Sequence, residues 1–136
     1  MAAPKKILFI CVGNTCRSQM AEGFARRYGN GLVDVKSAGT AATGYVNEET
    51  IEAMREEGID ISAQSSRQVT NELIKWAEMV VTLGGQSADS ICPADYMGGK
   101  IDWPIKDPLG RPRELMEMVK DDIHGRVKDL IEGLAK

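Results

Sequence analysis

Apolar residues follow two patterns along this chain: short unbroken runs, and stretches in which they recur every three or four positions. The first pattern marks buried strands and the second one-sided helices. Lys6 to Val12 (KILFICV) is an apolar run with β-branched residues and reads as a buried parallel strand. Gly13 and Asn14 break it. Met20, Phe24 and Tyr28 then recur every four residues, with Ala21 and Ala25 beside them, and form one helix face. Gly29 is placed to end that helix. Leu32 to Ser37 reads as a second strand, closed by Gly39. Asn47 caps a helix whose first turn carries Glu48 and Glu49, with Ile51 and Met54 inward and Gly58 at its end. Thr70 caps a short helix running through Ala77, and Met79 to Leu83 (MVVTL) is a third buried strand stopped by Gly84 and Gly85. Ile101 to Ile105 reads as a fourth, which Pro104 confines to an edge or a loop. Leu115, Val119, Ile123, Val127, Leu130 and Leu134 mark a long C-terminal amphipathic helix.

Strands alternating with helices predict an α/β fold in which helices wrap a parallel sheet. Such sheets bind ligands at the carboxyl ends of their strands, near a topological switch. The turn after the first strand, Cys11 to Ser18, sits at such an end. The length of 136 residues predicts a single domain over residues 1–136. The net charge of −3 argues against a nucleic-acid partner, which calls for a basic face. No run of 18 apolar residues is present, so no membrane association is expected. Met1 to Ile10 lacks the apolar region and cleavage site of a signal peptide, and the expected location is cytoplasmic. Three cysteines, Cys11, Cys16 and Cys92, then read as reactive or structural thiols rather than as a disulfide framework. Their spacing with the single His124 matches none of the usual zinc patterns, so no metal is expected.

The candidate chemistry lies in Cys11-Val12-Gly13-Asn14-Thr15-Cys16-Arg17-Ser18. A thiol stands at the end of a strand, and an arginine follows six positions later in the first turn of a helix. Backbone N–H groups of such a loop and helix start can converge on a tetrahedral anion. Gly13 permits unusual dihedrals, and Asn14 tolerates the left-handed region. Arg17 supplies a planar fork that grips two anion oxygens. A free thiol is only a few per cent thiolate at pH 7. A helix N-terminus and an adjacent arginine favour the anion, and the Ser18 hydroxyl is placed to donate to it. The expected product is a nucleophile, Cys11, beneath a bound oxyanion. The loop lacks the Gly-Lys-Ser/Thr of a Walker motif and the three glycines of a dinucleotide fingerprint, and its cysteines are four residues apart rather than two. Protonating a leaving oxygen needs an acid. Asp107, held extended by Pro108 and followed by Gly110, is the best candidate, although spacing alone leaves Asp89 and Asp102 open.

With CVGNTCRS at 11–18 and DP at 107–108, the chain resembles the low-molecular-weight protein tyrosine phosphatase superfamily over almost its whole length. Within it, SQMAEGF at 18–24, SAG at 37–39, GIDIS at 58–62 and VVTL at 80–83 look like the thioredoxin-coupled arsenate reductase branch. The resemblance implies a four-stranded parallel sheet flanked by helices on both sides, with a phosphatase-type anion loop after strand one. It makes Cys11 the nucleophile, Arg17 the oxyanion binder, Asn14 and Ser18 loop supports and Asp107 the acid. Phosphatases of this kind usually carry Pro where Gln19 stands and tyrosines after the DP, where Leu109-Gly110 stand here.

Redox-coupled members carry a cysteine just after VVTL and another before a proline. Gly84-Gly85 takes the first place here, while Cys92-Pro93 keeps the second. The middle relay thiol is therefore missing, Cys16 and Cys92 are the remaining redox candidates, and a cysteine at position 84 is expected to raise thioredoxin-dependent turnover if the Cys92 loop can meet it. Arg67 stands where some members have a cation-binding acid, so the resemblance implies no bound potassium. Two activities are expected to compete. One is arsenate reduction, in which a second thiol, from thioredoxin or a small external donor, releases arsenite from Cys11. The other is hydrolysis of phosphomonoesters through a phosphocysteine. No cofactor beyond the thiol donor is expected, and phosphate itself should bind.

Overall fold

A computed structural model describes residues 3–135. Strands β1 (Lys5–Cys11), β2 (Val33–Gly39), β3 (Met79–Leu83) and β4 (Gly99–Trp103) form one parallel sheet in the order β2-β1-β3-β4. Five helices connect and cover them: α1 (Arg17–Tyr28), α2 (Glu48–Arg55), α3 (Asn71–Trp76), α4 (Ala88–Ile91) and α5 (Arg113–Leu134). The caps expected from sequence are made. Asn47 Oδ1 accepts from Thr50 N at 3.0 Å, Thr70 Oγ1 accepts from Leu73 N at 3.1 Å, and Gly29 closes α1. Strand β4 lies at the edge of the sheet and stops at Trp103, so Pro104 falls just beyond the ladder it cannot join. The four-residue helix α4, capped by Ser87, adds to the elements expected from sequence, because ADSI is too short to carry an apolar period.

Alternation along β1 divides the interior. Ile7, Phe9 and Cys11 face α1, α2 and α5 together with Val81, Leu83, Met20, Phe24, Ile123 and Val127. Leu8 and Ile10 face the other way and pack with Val80, Ile74, Ala88 and Cys92 beneath α3 and α4. Full burial of a large apolar side chain such as Phe9 or Phe24 is worth about 1.5–3 kcal/mol. The larger core therefore anchors β1 and α1, the two elements that frame the Cys11–Ser18 turn. Because the chain leaves β1 toward β2 on one side and reaches β3 on the other, a crevice opens where the strand order reverses, at their carboxyl ends.

Candidate active site

Three strand ends meet at that crevice. The end of β1 supplies Cys11 and its loop, the end of β3 supplies Gly84, and the end of β4 leads to Asp107. A cavity of about 210 Å³ is lined by Cys11, Val12, Gly13, Thr15, Cys16, Arg17, Ala41, Thr43, Asp107 and Leu109. Both expected catalytic partners of Cys11 thus share one space with it, and Asp89 and Asp102 are not on its wall. Asp102 is spent elsewhere, where its Oδ1 accepts from Ala88 N and from the Thr82 hydroxyl. A wider hollow of about 530 Å³ lies at the amino ends of the strands, by Lys5 and Tyr96, and has neither a thiol nor an arginine on its wall.

The loop owes its shape to where its carbonyls go. Those of Cys11, Val12, Gly13 and Thr15 accept from the N–H groups of Thr40, Ala41, Thr43 and Asn47, at 2.8–3.1 Å. The Asn14 carbonyl accepts from Gln19 Nε2 at 2.9 Å, and that of Cys16 from Met20 N at 3.0 Å. Every carbonyl from Cys11 to Cys16 is therefore tied to a donor in α1 or in the segment from Thr40 to Asn47. In a planar trans peptide the N–H points opposite to the C=O, so outward carbonyls turn the N–H edges inward. No side chain caps α1 and no acid lies in its first turn, which leaves that turn's positive end to the same space.

Asn14 adopts φ 48°, the one non-glycine residue with positive φ among the described residues. Its side chain holds it there. Nδ2 donates to Ser18 Oγ at 2.7 Å and to Ser37 Oγ at 2.9 Å, while Oδ1 accepts from Arg67 N at 2.8 Å. Ser18 Oγ lies 2.9 Å from Cys11 Sγ. Because Ser18 already accepts from Asn14, its hydroxyl hydrogen is free to point at the sulfur, the polarity that a thiolate requires. The chain of contacts continues inward: Ser37 Oγ donates to Glu22 Oε1 at 2.6 Å, and Arg26 Nη2 donates to Glu22 Oε2 at 2.8 Å and to Val35 O at 2.9 Å. Sequence reasoning missed Gln19, Glu22 and Ser37 as parts of this support. The one local signal was Glu22 four residues before Arg26, the spacing of a helix ion pair.

Arg17 is buried, and its Nη1 donates to Ile105 O at 3.0 Å. Its guanidinium lies against Gly84, which has φ +80°; a side chain there would collide with the guanidinium and with the Ile105 carbonyl. A side chain at Gly85 would meet Val12 Cγ2 at 2.7 Å. A cysteine at position 84 would have to displace Arg17, so this geometry counts against the expected gain in thioredoxin-dependent turnover. Asp107 is exposed at the cavity mouth, where its Oδ1 accepts from Leu109 N at 3.0 Å.

The other two thiols are both buried. Cys16 lines the cavity but packs on Met116, Sγ to Sδ 4.0 Å, and burial pushes its thiol up to about 12. Cys92 belongs to the opposite core, and burial raises its thiol as well. The structure brings Cys16 to Cys11 and leaves Cys92 across the sheet. No cluster of metal-ligating side chains occurs among the described residues, and no described helix is long and apolar enough to cross a membrane.

Comparison with known proteins places this geometry. An arsenate reductase of Halalkalibacterium halodurans is 43% identical over 135 residues, covering 94% of this chain and 96% of its own. A solved structure described as an arsenate reductase in the phosphate binding state superposes with a TM-score of 0.84 at 35% identity, over 96% of this chain and 98% of that one. A YwlE arginine phosphatase from Geobacillus stearothermophilus superposes with a TM-score of 0.82 at 32% identity, over 97% and 94%. The family described as low molecular weight phosphotyrosine protein phosphatase matches residues 6–136, and the chain belongs to that family of cysteine-dependent enzymes.

Proposed function

We propose that this protein reduces arsenate, with Cys11 as the nucleophile. The observation that carries the reading is the cavity itself. It gathers a thiol, an arginine fork and a carboxyl group around a space lined by Val12, Ala41, Thr43 and Leu109, with no aromatic ring on its wall. A tetrahedral oxyanion fits such a space, whereas an aryl ester finds no ring to stack on. The N–H edges of Val12 to Ser18 and the Arg17 fork hold the anion, and Ser18 steadies the Cys11 thiolate beneath it. The thiolate attacks arsenic in line, and Asp107 protonates the departing oxygen so that it leaves as water. A thiolate then attacks Cys11 Sγ, and the electron pair of the sulfur–arsenic bond stays on arsenic as arsenite departs. The relatives named arsenate reductase support this choice.

A second reading uses the same atoms. Cys11 attacks phosphorus, Asp107 protonates an alcohol or amine, and water hydrolyses the phosphocysteine. The presence of Asp107 on the cavity wall and the likeness to an arginine phosphatase favour it. The deciding experiment follows arsenite formation with defined thiol donors beside hydrolysis of p-nitrophenyl phosphate and phosphoarginine. Arsenite formation at the higher kcat/KM is expected. Rapid hydrolysis with no arsenite from any donor assigns the chain to the phosphatases.

A further inference from the structure

On the reductase reading, one sulfur atom is unaccounted for: the one that releases Cys11. Three internal positions come into question, and the structure closes each. Position 84 directly follows β3, the strand that pairs with β1, and the Arg17 guanidinium occupies the space a side chain would need. Cys92 packs with Leu8, Ile10 and Val80 on the α3 and α4 side of the sheet, whereas Cys11 faces α1 and α5. To reach Cys11 it would have to leave that core and pass round the strand ends. Helix α4, which it follows, is pinned: Asp102 accepts from Ala88 N at 2.8 Å and Lys100 pairs with Asp89 at 3.0 Å. Cys16 is on the right face but is only 2% exposed, and burial keeps it a thiol at neutral pH. The thiolate is the species that attacks in exchange.

Access sets the size of an external donor. Cys11 is 3% exposed at the floor of a cavity of about 210 Å³. A thiol on the surface of another folded protein cannot reach that depth unless the loops open, whereas a small molecule can enter. We propose that Cys11 is released by a low-molecular-weight thiol from solution, and that neither Cys16 nor Cys92 takes part. The first thiolate, RS⁻, attacks Cys11 Sγ. The sulfur–arsenic bond breaks with its electron pair on arsenic, arsenic(V) becomes arsenic(III), and arsenite leaves a Cys11–S–S–R mixed disulfide. A second RS⁻ attacks the sulfur of R, expels the Cys11 thiolate and leaves as RSSR. The sum is arsenate and two RSH giving arsenite, RSSR and water, a two-electron reduction.

The test measures arsenite formation by wild type and Cys92→Ser with glutathione, and with thioredoxin plus its reductase and NADPH. Enzyme quenched with iodoacetamide during turnover is peptide-mapped. Glutathione should support turnover at about tenfold or more the thioredoxin rate, Cys92→Ser should match wild type, and the map should show glutathione on Cys11. Thioredoxin-driven turnover lost in Cys92→Ser, or a Cys11–Cys92 or Cys11–Cys16 disulfide in the wild-type map, overturns the proposal and leaves the reductase reading standing. No arsenite from either donor, with ester hydrolysis intact, overturns both. Ester hydrolysis by Cys92→Ser reports whether that variant folds; if it does not, the wild-type map alone decides.

Discussion

The ends of β1 and β3 lie side by side and are built on opposite plans. After β1 the chain is filled and tied. Each carbonyl from Cys11 to Cys16 has a donor, and Asn14 spends three hydrogen bonds to hold one strained residue. After β3 the chain is emptied, because Gly84 and Gly85 carry no side chain where Arg17 and Val12 pass. One loop makes a binding surface by fixing its dihedrals; the other serves it by leaving room. Both kinds of segment are rich in small residues, yet substitution should hurt them for different reasons.

The largest effect tests the filled end at its centre. Cys11→Ser should abolish turnover while phosphate still binds, since the N–H edges and Arg17 remain but a hydroxyl without an adjacent base is a poor nucleophile. Calorimetry with phosphate beside an activity assay checks this, and measurable turnover would remove Cys11 from the mechanism. Next comes the acid. Asp107→Asn should slow hydrolysis of p-nitrophenyl phosphate or alkyl phosphates by roughly 10²–10⁴-fold, less for the better leaving group. An equal loss with every ester would point to a loop defect.

The emptied end is tested by Gly84→Ala, which puts a methyl group against the Arg17 guanidinium and the Ile105 carbonyl. Phosphate affinity and kcat/KM should fall together by about 10- to 100-fold, as in a clamp that has lost its bidentate geometry. Arg17→Lys should produce the same pairing of losses. Normal phosphate binding in Gly84→Ala would mean that the guanidinium does not need that space. The smallest effect separates strain from hydrogen bonding. Asn14→Ala leaves Ser37 Oγ without its Asn14 donor and Arg67 N without its acceptor, and keeps a side chain at φ 48°. It should cost about 1–3 kcal/mol in urea unfolding, and Asn14→Gly somewhat less, because glycine accepts the dihedral. Equal costs would assign the whole effect to the lost bonds.

Much of this comparison is legible in the sequence, but only one half of it. The strand–turn–helix reading, the caps at Asn47 and Thr70, the edge position of the fourth strand and the grouping of Cys11, Arg17 and Asp107 all follow from local pattern or motif. Gly84 does not. From sequence it reads as a missing thiol, and only the pairing of β1 with β3 reveals that Arg17 crosses it. Ser37 was equally hidden, because its contact with Asn14 depends on the β1–β2 register that sets Phe9 opposite Ser37. Local periodicity records which face a residue takes, not which distant residue it meets there.

The Glu22–Arg26 pair carries a consequence for the medium in which the enzyme works. A carboxylate buried behind an anion site needs a counterion, and here the counterion is tethered one helical turn away on the same helix. Its local concentration is fixed by the backbone rather than by the surrounding solution. The hydrogen-bond chain from Glu22 to Cys11 should therefore stay assembled whatever monovalent salt surrounds it. At constant ionic strength, sodium, potassium and choline chloride should give superimposable rates.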